Sequence, residues 1–253
     1  MSVLRYPDPA TAAVACGNRV MDLLEEALSG RPRATLAVSG GSSPRPMFAL
    51  FAQRRLLWEQ VDIFWVDERY VPPSDPQSNF RMANETWLTP ANVSAGNIHR
   101  IPTEGEPHEA ARQYAEHIRG LFQARFGLKA GGQPQFDVIH RGMGPDAHTA
   151  SLFPGESLIE DRTRLAAAVW VEKMRQWRVT LLPGVLEAAR NTVVLATGSD
   201  KAQALDAVLR GAYDPLKFPA QIAASEATWF LDEAAAAFLP DSLKERTLPK
   251  DSA

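Results

Sequence analysis

The chain has 253 residues, is 45% hydrophobic and 23% charged, and carries a formal net charge of −3. That is the composition of a soluble globular protein long enough to bury a substantial core, and it offers no basic footprint for nucleic acid or an anionic membrane. The single cysteine, Cys16, excludes an intrachain disulfide and favours a reducing compartment; with only scattered histidines beside it, no zinc ligand set or other metal site is expected.

The opening residues, MSVLRYPDPATAAV, lack the basic-then-apolar pattern of a secretory signal. No apolar run reaches the roughly 18 residues of a membrane span, so the expected location is the cytoplasm. Pro7-Asp8-Pro9 starts a predicted helix over 10–28, ended by Gly30 and Pro32. Residues 35–38 read as a short buried strand that runs into Ser39-Gly40-Gly41-Ser42-Ser43-Pro44, with a helix predicted over 45–55. Two glycines let the backbone turn tightly and bring successive amides together. The helix start adds free N–H groups and the positive end of a dipole, and three serines add hydroxyl donors. The loop reads either as a cradle for a phosphate monoester or as a plain strand-to-helix turn; it lacks the GK[ST] ending of a Walker A loop.

A strand over 61–66 ends in Asp67-Glu68-Arg69, three charges that are either solvated loop or site. The loop through Pro72, Pro73, Asp75 and Pro76 is rigid and polar, suiting a lid or the wall of a cleft. Ser78 or Asn79 caps a helix to about Leu88. Loop at 90–97, a short strand at 98–101, an amphipathic helix at 109–126 and a glycine-rich connection at 127–134 follow.

The stretch FDVIHRGMGPDAHTASLFPG at 136–155 is the one the rest of the chain serves. A short apolar run, 136–139, breaks at Gly142-Met143-Gly144-Pro145, and Asp146 and His148 follow two apart. A strand ending in a glycine loop that carries an acid and an imidazole is how open α/β folds present chemistry at the carboxyl end of a sheet. Two other readings compete. One is a dinucleotide fingerprint, G-x-G-x-x-A, opposed by Pro145, which removes an amide, and by the charge of Asp146. The other is a helix cap at Asp146 with a buried histidine behind it.

Strands are predicted at 166–172 and 177–182, the second stopped at Pro183-Gly184; Arg178 there is a cation beside apolar residues and is expected to meet an anion. A strand at 191–197 leads through Gly198-Ser199-Asp200-Lys201 into a helix at 202–210. Lys201 opposes the helix dipole, which either an anionic ligand or plain solvation would relieve. A strand at 228–231, a helix at 232–237 and a polar, frayed tail after Pro240 complete the chain. Alternating strands and helices predict an α/β fold, a Rossmann-like open and mostly parallel sheet with helices on both faces, in a single domain over 1–253.

Five motifs in order, SGGSSP at 39–44, DERYVPPSDPQSNF at 67–80, GMGPDAHTASLFPG at 142–155, RVTLLP at 178–183 and GSDK at 198–201, resemble the glucosamine-6-phosphate isomerase/6-phosphogluconolactonase family over about residues 35–231. DER with the following VP and SN, together with HTASLFPG, resembles the lactonase branch; the deaminase branch usually has DEY. The resemblance implies hydrolysis of a sugar-phosphate lactone, 6-phosphoglucono-δ-lactone, to 6-phosphogluconate in the oxidative pentose phosphate pathway, with no metal or organic cofactor. It makes His148 the general base that takes a proton from the attacking water and returns one to the departing ring oxygen. It makes Asp67 and Asp146 groups that orient the histidine or the sugar hydroxyls, and Arg69 a stabiliser of the oxyanion or substrate. Ser39, Gly40, Gly41, Ser42, Ser43, Arg178 and Lys201 would hold the 6-phosphate. A monomer or small homo-oligomer is expected.

The chain departs from the family pattern at Ala147, where glycine is usual, at His140-Arg141, where the strand usually stays apolar, and at Ser43 for threonine. If position 147 needs a positive φ, alanine costs roughly 1 kcal/mol there and can shift His148. Arg141 is either a further anion ligand or a wet strand end. Other functions consistent with these residues are an amino-sugar-phosphate isomerase or deaminase, a non-catalytic sugar-phosphate-binding protein, and a nicotinamide-dependent oxidoreductase resting on G-x-G-x-x-A alone.

Overall fold

Short runs of valine, isoleucine, leucine and phenylalanine, buried on both sides, make the strands of a parallel sheet. The computed structural model describes residues 1–54, 56–243 and, as backbone, 245–246. Its main sheet contains β1 (Ser2–Tyr6), β2 (Ala34–Val38), β3 (Val61–Trp65), β5 (Ile98–His99), β6 (Val138–Gly142), β9 (Thr192–Ala196), β10 (Thr228–Asp232) and β11 (Glu245–Arg246), while β4 (Asp67–Arg69), β7 (Ala166–Val171) and β8 (Gln176–Leu181) lie outside it. The main sheet runs β11-β1-β10-β9-β6-β2-β3-β5, and every neighbouring pair in it is parallel. The α/β fold and the mostly parallel sheet expected above are therefore what is found.

Helices cover both faces. β10 shows why: Phe230 belongs to one hydrophobic cluster and its neighbours Trp229 and Leu231 to another, as the two-residue period of a strand requires. The larger cluster includes α1 (Pro9–Gly30), α2 (Arg45–Gln53) and α4 (Pro107–Phe126). The smaller one is closed by Leu205 and Val208 of α6 (Ala202–Arg210). Asp8 caps α1 by accepting from Thr11 N at 2.8 Å, and Cys16 is buried within it, its thiol pushed up by desolvation.

Several expectations are corrected. Strands β4, β7 and β8 form a separate antiparallel sheet, order β4-β8-β7, against which α4 packs. A strand at Ser2–Tyr6, unremarked in the sequence, pairs with β10. The predicted strand at 98–101 is a two-residue strand, β5. The predicted helix from Ser78 is a short α3 (Asn79–Ala83) continued by a π-helical turn at Asn84–Leu88, with Ser78 Oγ accepting from Arg81 N. Pro183-Gly184 does not merely stop a strand; Pro183 begins α5 (Pro183–Ala188), where its missing N–H is no loss. Residues 233–237 are turns, not a helix, because Asp232 Oδ1 accepts from both Ala235 N and Gly198 N and so ties the segment to the end of β9. Past Pro240 the chain is not frayed throughout, since residues 245–246 pair with β1. Arg55, Lys244 and residues 247–253, on which the helix end and the tail were also read, lie outside the described residues.

Candidate active site

Sheet order reverses between β2 and β6. From β2 the chain progresses outward to β3 and β5; from β6 it progresses the other way to β9 and β10, beyond which lies β1, the first strand of the chain. Such a switch point leaves a crevice beyond the carboxyl ends of the two strands. Here β2 delivers Ser39–Ser43 and β6 delivers Gly142–His148, and Ser39 N donates to His140 O at 3.0 Å to bring the two exits together. The cleft between them is lined by residues of both loops, among them Ser39, Gly40, Ser43, Gly142, Gly144 and His148.

His148 lines this cleft. Its Nδ1 lies 2.5 Å from Asp146 Oδ1. An ionised carboxylate only accepts, so Nδ1 carries the proton and the neutral ring keeps its free lone pair on Nε2. Burial raises the Asp146 pKa, but the hydrogen bonds from His148 and Lys173 outweigh it and hold the carboxyl well below the ordinary carboxylate range. Phe153 stacks on the imidazole with ring centroids 4.3 Å apart. Beneath the ring lies Gly144, where an added Cβ would fall 2.0 Å from His148 Cε1; only glycine leaves room for the imidazole. Ala147 has φ 63°, the left-handed conformation that alanine resists. The condition attached to this position in the sequence is thus met.

A second histidine, His140, also lines the cleft but has a different character. It is 1% exposed and neither ring nitrogen has a partner among the described residues. Burial pushes its pKa down to about 3, so at neutral pH it is an uncharged ring and a poor base.

The DER cluster is strand, not solvated loop, and its alternation decides the roles. Asp67 and Arg69 face the cleft. Glu68 faces away and accepts from Asn79 N, Phe80 N and Ser78 Oγ at the start of α3. Burial pushes the Glu68 pKa up against the pull of these bonds. Asp67 accepts from Ser151 Oγ at 2.7 Å and stands 4.0 Å from Arg178 Nη1. Arg69 is the cross-strand partner of Arg178. Burial lowers the Arg178 pKa, Asp67 raises it and Arg69 lowers it further, a balance that favours an anion between the two guanidinium groups.

Of the Ser39–Ser43 loop, Ser39, Gly40 and Ser43 line the cleft. Gly41, at φ 100°, shapes the turn, and Ser42 is exposed outside the lining. Gly40 is held to glycine by Asn79, whose Oδ1 would be 2.0 Å from a Cβ there. Lys201 is not brought to the cleft: its ammonium sits 3.2 Å from Asp200 Oδ2. Arg141 is neither a wet strand end nor a wall of the cleft; it is 1% exposed on β6. Asp146 supports His148 from behind and does not itself line the space. Asn79, Ser151, Phe153 and Lys173 complete the surroundings; none was expected at the site from the sequence, where Asn79 was read only as a possible helix cap. Asn79 sits in the SN of the second motif and Ser151 and Phe153 in HTASLFPG, but Lys173 carries no local signal.

Unsatisfied polar atoms gather here. Ser39 Oγ, Asn79 Oδ1, Arg69 Nε, Arg178 Nε and both nitrogens of His140 are buried without a partner among the described residues, and all belong to residues that line the cleft. Orphaned groups are uncommon in folded proteins; their convergence on one concavity, donors prevailing, is that of a site built for an oxygen-rich anion.

Comparison with known proteins gives the same direction. Residues 7–231 match the family described as glucosamine-6-phosphate isomerases/6-phosphogluconolactonase. The chain is 35% identical over 236 residues to a 6-phosphogluconolactonase of Nostoc sp. (strain PCC 7120), covering 92% of this chain and 96% of that protein. It is 36% identical over 215 residues to a 6-phosphogluconolactonase of Synechocystis sp. (strain PCC 6803), covering 84% and 87%. Among solved structures, the 6-phosphogluconolactonase of Thermotoga maritima superposes with a TM-score of 0.79 at 26% identity, over 91% of this chain and 99% of that one.

Proposed function

The chain belongs to the glucosamine-6-phosphate isomerase/6-phosphogluconolactonase family, and from that premise we propose that it hydrolyses 6-phosphoglucono-δ-lactone to 6-phosphogluconate, with no metal or organic cofactor. The observation that carries the proposal is His148, on the same cleft as Arg69, Arg178, Ser39 and Ser43, with Asp146 2.5 Å behind its ring. His148 Nε2 takes a proton from water as the oxygen attacks the lactone carbonyl. The imidazolium is stabilised by Asp146 and returns the proton to the ring oxygen as the ester bond breaks. Arg69 and nearby amides stabilise the charge on the carbonyl oxygen, while Arg178 and the serine loop hold the phosphate. Asp67 fixes Ser151 and Arg178. Lys201 joins the phosphate by leaving Asp200.

The test is acid release from freshly prepared 6-phosphogluconolactone, with the spontaneous rate subtracted. Turnover by the native protein and its loss in His148→Ala are expected. Ammonia release from glucosamine 6-phosphate in place of lactone hydrolysis would move the chain to the other branch of its family.

A further inference from the structure

Ala147 and Arg141 meet through one chain of contacts. Ala147 holds a left-handed φ of 63°, which costs an alanine about 1 kcal/mol, so something must hold it there. Its carbonyl oxygen accepts from Ala220 N at 2.9 Å. Ala220 lies in a tight turn closed by Ile222 N donating to Pro219 O at 3.0 Å. The carbonyl of Ile222 accepts from Arg141 Nη2, and Arg141 Nη1 reaches Thr149 Oγ1 at 3.5 Å. Thr149 Oγ1 in turn donates to Gly142 O at 2.9 Å. Arg141 stands on β6 immediately before the loop that carries His148. The contacts therefore form a closed ring, from Arg141 through Gly142 to Ala147, across to Ala220 and Ile222, and back to Arg141.

Nothing else accounts for a guanidinium in this position. It is 1% exposed and makes no ion pair with a carboxylate among the described residues. Burial lowers its pKa only to about 10, so it is charged at neutral pH and held by backbone and hydroxyl oxygens alone. Burying an unpaired charge is costly, and a hydrophobic side chain would fill the same space without that cost. The turn is also held from within, Gln221 Nε2 donating to Ala212 O at 3.0 Å.

We propose that Arg141 is a positioning residue for His148: it locks the Pro219–Ile222 turn, which pins Ala147 in its left-handed conformation and so sets the bearing of the next side chain. The proposal rests on the reading of His148 as the base. Without Arg141, Ala147 relaxes toward negative φ and turns the imidazole away from Asp146. With glycine at 147 the left-handed conformation has no cost, and the clamp becomes dispensable.

The test is a double-mutant cycle between Arg141→Met and Ala147→Gly, read in two ways. In the native background Arg141→Met is expected to lower kcat about tenfold, equivalent to ~1.4 kcal/mol, with KM changed less than about twofold. In the Ala147→Gly background the same substitution is expected to cost about twofold or less. The second readout is the NMR resonance of the His148 Nδ1 proton, assigned by its absence in His148→Ala. It should shift or broaden in Arg141→Met and return in the double variant. Equal losses of kcat in both backgrounds, or a resonance that Arg141→Met leaves unmoved, overturns the proposal. The resonance is informative even for a protein that does not turn over lactone, so failure of the functional reading is distinguishable from failure of this one. If Arg141→Met does not fold, Arg141→Lys, which keeps the charge and one donor, is put through the same cycle with the same criteria.

Discussion

Arg69 and Arg178 stand directly opposite each other across β4 and β8, and both line the cleft. The next pair along the ladder, Tyr70 and Trp177, is hydrogen-bonded, Tyr70 N donating to Trp177 O at 2.9 Å. The arginines therefore occupy the alternate kind of pair, where side chains approach most closely. Like charges in such a pair are destabilising, and an anion between them turns repulsion into binding.

Arg178→Ala is accordingly expected to weaken binding of 6-phosphogluconate about tenfold to a hundredfold, the worth of one charge-assisted hydrogen bond of ~1.5–3 kcal/mol. Calorimetric titration with the product measures it. Lys201→Ala is the comparison: an effect of similar size shows that Lys201 leaves Asp200 for the ligand, and unchanged affinity removes it from the site.

His148→Ala is expected to lower turnover by about 10²–10⁴-fold, the usual worth of a general base, while product affinity stays within a few-fold. Asp146→Asn should also lower kcat strongly with little change in KM. Its amide can present a donor where the carboxylate only accepted, and that favours the wrong tautomer. Steady-state kinetics on fresh lactone checks both; full activity in either variant takes that residue out of the mechanism.

Gly144→Ala separates the site from the fold. The new methyl would meet the His148 ring at 2.0 Å, and that ring is a side chain at a cleft, free to move where a core residue is not. Turnover should fall about a hundredfold as the imidazole swings off Asp146. Thermal unfolding should move by only a few degrees, as expected for ~1 kcal/mol in a chain of this size.

Asp62 governs stability in acid. It is fully buried and accepts from Arg33 and His99, with Arg125 alongside. Burial raises its pKa, but the bonds from His99 and Arg33 and the charges of Arg33 and Arg125 prevail, and the net shift is downward. A carboxyl whose folded pKa is depressed adds stability above its unfolded pKa, about 3.9, and loses it as pH falls through the folded value. Asp62→Asn should therefore cost about 3 kcal/mol at pH 7, and the gap from the native protein should narrow below pH ~4. Urea unfolding across that range tests it; a constant gap would show that Asp62 acts through packing alone.

Much of the frame was legible because buried parallel strands are nearly continuous apolar runs, as in β2 and β9. Of the small antiparallel sheet, β7 and β8 were legible as strands, but β4 and the antiparallel pairing were not. β4 consists of three charged residues, Asp67, Glu68 and Arg69, and no apolar pattern marks a strand whose side chains serve a cleft on one side and a helix start on the other. The 232–237 segment was misread for the opposite reason: an alanine-rich run has high helix propensity, and the tertiary bonds of Asp232 override it. The histidine, its acid and the glycine loops were visible because their neighbours are close in sequence. Lys173 was not, since its meeting with Asp146 spans 27 residues. Nor was the pairing of Lys201 with Asp200, since adjacent residues in a tight turn have no fixed side-chain register.

The loop between β4 and α3 is fastened at several points: Arg69 Nη1 to Gln77 O at 2.6 Å, Tyr70 Oη to Gly105 O at 3.0 Å, Arg81 Nη1 to Ser74 O at 2.7 Å, and Glu68 to the first turn of α3. With three prolines among residues 72–76 it has few torsions left to vary. It is a doorframe and not a door. Compounds that bind here have nothing in this segment to latch behind them, so long-lived inhibition must come from the strength of their contacts with the floor and not from entrapment.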